Sequence, residues 1–210
     1  MTVQLSLLDE AGDGHDGSVP ALEGRVQRTE LARGAWVDTC AGWLPGTADL
    51  FDALADLVPW RAERRQMYER IVDVPRLVSF YGEGEALPHP LLDKALDQLN
   101  RYYGPMLGEP LVTAGLCLYR DGHDSVAWHE DTIGRGSHAD TVVAIISLGS
   151  ERALLLRERG GGASRRFRLG PGDLLVMGGS CQRTHEHAVP KTATPVGPRI
   201  SVQFRPHGVR

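Results

Sequence analysis

Hydrophobic residues follow one period in the first half of this 210-residue chain and another in the second. Over residues 47–58, Leu50, Phe51, Leu54 and Leu57 recur at three- and four-residue spacing, which predicts a helix that Pro59 closes. A second stripe, Leu91, Leu92, Ala95, Leu96 and Leu99, predicts a helix over residues 90–103. Two short β-prone pieces, 25–29 and 35–38, precede the first helix. From Leu111 onward the runs become short, β-rich and punctuated by Gly and Pro. Strands are predicted at 113–119, 125–129, 141–148, 153–156, 166–169, 173–177, 186–189 and 199–204. Gly160-Gly161-Gly162 and Gly170-Pro171-Gly172-Asp173 read as turns between them; no Lys-Ser/Thr or helix follows the triple glycine, so it is not a phosphate loop. Close spacing of this kind marks a sandwich, jelly roll or barrel. Residues 1–19 are Gly- and Asp-rich without periodicity and read as a flexible tail, with residues 20–210 as a single domain. Within it, residues 24–103 form an amino-terminal extension and 111–206 the β core.

Composition narrows the class. With 41% hydrophobic residues the chain can bury one core, and a second full domain is not expected. No apolar run approaches the roughly 20 residues of a membrane span, and the start lacks a signal-peptide pattern, so a cytoplasmic protein is expected. Cys40, Cys117 and Cys181 are too few and too scattered for a zinc knuckle or a disulfide framework. The net charge of −4 does not advertise a polyanion partner, yet Arg61, Arg64 and Arg65, and then Arg157, Arg159, Arg165, Arg166 and Arg168, form local clusters. Such clusters are either solvated faces or phosphate-binding patches.

The chemistry lies in histidines, aspartates and arginines. His129-Glu130-Asp131 and His138-Ala139-Asp140 are both His-x-Asp pairs, and in a strand positions i and i+2 share a face. The β-prone run ending in Trp128 favours the first pair. A distant third histidine would complete two imidazoles and one carboxylate, the set that leaves open positions on non-haem Fe(II) centres. His185 and His187 share parity, so geometry leaves both open. On the last predicted strand, alternation places Arg199, Ser201, Gln203 and Arg205 inward. Two inward arginines call for a bound anion, because buried unpaired charge is costly.

The segments carrying these residues resemble the AlkB family of Fe(II)- and 2-oxoglutarate-dependent dioxygenases. The resemblance rests on Pro75-Arg76 through Tyr81-Gly82, Tyr119-Arg120-Asp121-Gly122, Asp124 through Asp131, Gly170 through Met177, Glu186-His187-Ala188-Val189-Pro190-Lys191 and Arg199 through Arg205, in the family order. It implies a double-stranded β-helix, a mainly β (α+β) jelly roll, whose amino-terminal α/β extension forms a nucleotide-recognition lid. It implies Fe(II) held by His129, Asp131 and His187, with 2-oxoglutarate as cosubstrate and O2 as oxidant. Arg199, Arg205 and Tyr119 would hold 2-oxoglutarate; Cys117 stands where the family commonly has Asn. Lid and rim residues Trp60, Tyr68, Arg76, Phe80, Tyr81, His89, Arg120 and Trp128 would meet substrate. Ile133 occupies a place where base-reading members often carry an acid. The expected reaction is oxidative dealkylation of N-alkylated bases in DNA or RNA by a monomer, with formaldehyde released. Hydroxylation or demethylation of a protein or small molecule is the alternative enzyme reading, and a cupin-like metal-binding module the non-enzyme one.

Overall fold

A computed structural model describes residues 18–67, 70–131 and 134–209. The tail up to residue 17, Tyr68, Ile133 and the side chains of Arg64 and Arg65 lie outside the described residues.

In chain order the elements are β1 (Gln27–Glu30), β2 (Ala35–Cys40), α1 (Thr47–Leu57), β3 (Arg61–Met67), β4 (Arg70–Tyr81), α2 (Pro90–Leu107), β5 (Leu111–Tyr119), β6 (Val126–His129), β7 (Val143–Gly149), β8 (Arg152–Glu158), β9 (Arg165–Leu169), β10 (Leu174–Gly179), α3 (Cys181–Thr184), β11 (His185–Val189) and β12 (Arg199–Pro206). The strands form an eight-stranded sheet, β1-β2-β10-β7-β12-β5-β4-β3, and a four-stranded sheet, β6-β11-β8-β9, with antiparallel pairing throughout. The chain crosses repeatedly between them, giving the expected jelly roll, with α1 and α2 packed on one outer face.

Strand parity decides what each face holds. On β12, Ile200, Val202 and Phe204 are buried in a cluster with Leu50 and Leu54 of α1 and Leu92, Leu99 and Tyr103 of α2. The alternate residues Arg199, Ser201, Gln203 and Arg205 line the cavity between the sheets. One strand thus joins the helix-covered core to the site.

Four differences from the sequence reading have local causes. Val19, expected in the tail, is buried with Leu22 against the main core, where Trp43 donates its indole N–H to the Pro20 carbonyl. Helix α2 runs on through Pro105 to Leu107, because a proline in the last turn removes only one hydrogen bond there and Gly108, at φ 72°, closes the helix. The β3–β4 hairpin was not anticipated. Arg61–Met67 shows no apolar alternation, since β3 is a polar sheet edge. Pro75 of β4 falls where the β3–β4 register slips between Ala62 and Arg64, so no ladder N–H is required of it. The short helix α3 carries no periodic signal at four residues.

Candidate active site

Strands β6 and β11 build the centre by pairing. His187 lies directly opposite His129 in register, and their rings pack with centroids 4.1 Å apart. Asp131 follows two residues after His129 as the chain leaves β6. One ligand atom from each of the three lies within 4.8 Å of the others. His129 Nδ1 is 2.9 Å from the Ala127 carbonyl, which can only accept, so Nδ1 is the donor there and Nε2 is the nitrogen turned to the cluster. That Nε2 is 3.7 Å from Asp131 Oδ1. The other carboxylate oxygen, Oδ2, accepts from Arg205 Nε at 3.1 Å and Nη2 at 2.7 Å. Burial alone would raise the Asp131 pKa, but Arg205 and the two histidines hold it well below the usual carboxylate range. Burial, helped by the neighbouring His129, pushes His187 down to about 3 against the pull of Asp131, so its imidazole is neutral near pH 7.

The alternatives separate cleanly. His138 and Asp140 are exposed; His138 sits beside Ser137, and Asp140 pairs with Arg183. His185 is buried, but beside Thr184 and in a separate cavity of about 220 Å³ with Glu30, Glu158 and Arg165. Among the described residues, only His129, Asp131 and His187 form a cluster able to hold a metal. The His129 side chain is 37% exposed, so the cluster is open on one side, as a working rather than a structural metal requires.

The triad lies in a cavity of about 900 Å³. Its other end is cationic. Arg199 is 1% exposed, with Nε donating to Ser147 Oγ at 2.8 Å. Its Nη1 is buried without a hydrogen-bond partner among the described residues. A buried guanidinium with an unspent donor fits a carboxylate, which would remove both the orphaned N–H and the uncompensated charge. Tyr119 faces Arg199, with its ring 5.2 Å from the guanidinium carbon. Burial raises its phenol to about 12, so it remains a donor. Cys117 lines the same wall, with Sγ 3.8 Å from Gln203 Oε1. The donor set therefore suits both a divalent iron and a dicarboxylate.

Of the expected substrate contacts, Arg76 and Phe80 on β4 line the cavity, and Phe80 is 46% exposed. The other described ones are occupied elsewhere. Trp60 and Tyr81 pack against the main core, and the Trp60 indole donates to Ala55. His89 caps α2 by accepting from the Leu91 amide. Trp128 lies under the Arg157 guanidinium on the outer face of β6, a parity consequence of His129 pointing inward. Arg120 is bidentate to Asp124. Two roles escaped the sequence reading. Gln182 of α3 accepts from the Asp131 amide, and Arg152 binds the carbonyls of Asp121, Asp124 and Pro190, tying the β5–β6 loop to the end of β11. Neither lies in a motif.

Residues 83–205 match the family model of the 2OG-Fe(II) oxygenase superfamily. Protein R406 of Acanthamoeba polyphaga mimivirus, named as uncharacterized, is 37% identical over 52% of this chain and 57% of its own length. The alpha-ketoglutarate-dependent dioxygenase alkB homolog 3 of Bos taurus is 29% identical over 77% of this chain and 64% of its own. The chain thus spans about three fifths of the length of these curated relatives. The solved structure of OsALKBH1 shares the fold, with a TM-score of 0.60 at 15% identity over 86% of this chain and 100% of that one.

Proposed function

The chain belongs to the 2OG-Fe(II) oxygenase superfamily, in its AlkB-type branch, and we propose that it oxidatively removes alkyl groups from nucleic-acid bases. The observation that carries this reading is the joint geometry of the cavity: an open His-Asp-His cluster at one end and the unspent donor of buried Arg199 at the other.

Fe(II) would be held by His129, Asp131 and His187, and with 2-oxoglutarate and O2 it would supply the oxidising power for hydroxylating an N-alkyl carbon. The chain's own share is to bind, orient and shield. Neutral His187 is ready to ligate without losing a proton, and the Ala127 carbonyl fixes the His129 tautomer. Arg205 holds one Asp131 oxygen, leaving the other turned toward His129. Arg199 and the protonated Tyr119 provide donors for the far carboxylate of the cosubstrate.

Support for a base as substrate comes from the hairpin over the mouth. Arg61 on β3 and Arg76 and Phe80 on β4 line the cavity, which combines cationic groups with an exposed aromatic ring. A base taken out of its stack needs a replacement stacking surface, and an alanine replacing such a ring typically costs about 1–3 kcal/mol. The cavity is within the size range of small-molecule sites and has room for a base beside the cosubstrate.

The test is formaldehyde release with Fe(II), ascorbate and 2-oxoglutarate on matched oligonucleotides carrying 1-methyladenine, 3-methylcytosine or no lesion. A hydroxylated N-methyl group breaks down to N–H and formaldehyde, so release confined to the methylated strands is expected. Succinate formation with no formaldehyde from any oligonucleotide would refute the nucleic-acid reading and redirect the search to protein or small-molecule substrates.

A further inference from the structure

We propose that Gln182, which touches neither the cavity nor a ligand donor atom, is a positioning residue that sets the orientation of Asp131 and with it the affinity of the metal centre. The inference rests on the His129, Asp131, His187 ligand set and not on the identity of the substrate.

Asp131 is held at its carboxylate and at its amide, and crowded at its carbonyl. Its carboxylate is held by Arg205 through Oδ2. Its own carbonyl oxygen lies so close to Gly136 that a Cβ placed there would sit 2.3 Å away. Its amide N–H donates to Gln182 Oε1 at 3.2 Å. This last bond matters most because Asp131 lies just past the end of β6, where no sheet ladder holds its N–H. Without Gln182 the Asp131 N–H loses its acceptor, and the amide that sets the direction of the Cα–Cβ bond is held less firmly, although Arg205 still grips the carboxylate.

The other end of the contact is stiff. Gln182 is 1% exposed and belongs to α3, a single turn held at both ends. Ser180 Oγ donates to the Arg33 carbonyl at 2.7 Å, and Thr184 Oγ1 donates to the Ser180 carbonyl at 2.9 Å. Strand β11 begins at the next residue and delivers His187. One hydrogen bond therefore links the segment carrying Asp131 to the segment carrying His187, two ligands 56 positions apart in the chain.

A packing role explains Gln182 poorly. Its Nε2 is buried with no hydrogen-bond partner among the described residues, a cost that an apolar side chain of the same length would avoid. What an apolar side chain lacks is the acceptor for Asp131. Partners one layer behind metal ligands typically change metal affinity by about 10- to 100-fold when removed.

The test is anaerobic Co(II) binding to the metal-free, full-length protein, followed by its d–d absorption and by calorimetry, with no substrate present. Gln182→Met keeps the side-chain length and removes the acceptor; Gln182→Glu keeps an acceptor oxygen. We expect Gln182→Met to weaken Co(II) binding about tenfold or more and to alter the absorption bands, with a Tm within a few degrees of wild type. Gln182→Glu should restore most of the affinity. Wild-type affinity and spectrum in Gln182→Met would overturn the inference, as would equal losses in both variants. Should Gln182→Met fail to fold, Gln182→Asn removes the same bond by shortening the side chain, and unchanged binding there is equally fatal. Failure of the wild-type protein to bind Co(II) would instead overturn the ligand set itself, which keeps the two failures apart.

Discussion

Replacing Arg199 with Met should make the protein lose its cosubstrate without losing its stability, a pairing that few buried arginines would show. The guanidinium is almost wholly buried, donates to Ser147, lies against Tyr119, and has Nη1 unsatisfied among the described residues. Burial pushes its pKa down, but an arginine stays charged at any working pH. In protein freed of 2-oxoglutarate, Arg199→Met removes the hydrogen bond to Ser147, worth about 1 kcal/mol, and the contact with Tyr119. It also removes a buried cation that has no carboxylate partner, whose desolvation costs more than that. Ser147 Oγ is not orphaned, because it also reaches the Leu169 carbonyl at 3.3 Å. The net change should lie between zero and about 2 kcal/mol of added stability, a Tm equal to wild type or a few degrees higher.

Binding should move the other way. A charge-assisted pair at a buried site is worth about 3 kcal/mol, or roughly 150-fold in Kd. The assay is a thermal melt of the Mn(II) form without O2, with and without 2-oxoglutarate, since a ligand that binds only the native state raises Tm by mass action. Wild type should gain stability with added 2-oxoglutarate and Arg199→Met should not at the same concentration. A large drop in Tm for the ligand-free variant, together with an intact response to 2-oxoglutarate, would show that Arg199 is a structural residue and that the carboxylate sits elsewhere.

Other expectations follow from the same geometry. His129→Ala and Asp131→Ala should abolish succinate formation while His138→Ala leaves it unchanged; turnover retained in Asp131→Ala would sink the ligand set. Chelation should remove all turnover and Fe(II) should restore it, with activity persisting in a fully chelated sample as the contrary result. Leu99, fully buried between α2 and the sheet, should cost about 2–5 kcal/mol on truncation to Ala and leave the 2-oxoglutarate KM unchanged, as melts and kinetics would show. Tyr103 donates to Asp38 at 3.0 Å, and burial, followed by the charge of Asp38, raises its pKa above the ordinary phenol value near 10. The unfolded chain therefore loses that proton first, and the stability Tyr103 contributes is present below about pH 10 and lost as pH rises beyond it. Tyr103→Phe should flatten that alkaline decline in denaturation curves, and an unchanged decline would assign it to other groups.

How far the sequence could be read depended on whether a residue acts through its own strand or across space. Strand parity alone brings Arg199 and Arg205 to one face and carries His129 inward, and the six family segments stand in their order in the sequence itself. Parity could not choose between His185 and His187, because the two differ only in where they lie along β11: His187 pairs with His129 on β6, whereas His185 pairs only with Glu158 on β8. The β3–β4 hairpin was hidden because its edge strand is polar and its partner contains Pro75, both of which are allowed at an irregular sheet edge. Gln182 and Arg152 were invisible for a different reason. Their partners are main-chain groups, the Asp131 amide and three carbonyls, and such groups leave no trace in residue type. The aromatic contacts expected at the mouth met the opposite problem: Trp60 and Tyr81 have the right chemistry for a base, but the core claims them.

The charges inside the cavity explain why metal and cosubstrate belong to one site. Arg205 is compensated by Asp131, whereas Arg199, six residues earlier on the same face of β12, has no carboxylate beside it among the described residues. A divalent ion at the triad adds two further positive charges, against a single ligand carboxylate already shared with Arg205. Neither the ion nor Arg199 is balanced by the protein alone. A dianion with a carboxylate at each end answers both, which a neutral or singly charged occupant cannot do. Binding of the ion should therefore strengthen binding of the dicarboxylate, and by linkage the dicarboxylate should strengthen binding of the ion by the same factor. A purely structural metal would need no such second charge, since its own ligands would close and balance it.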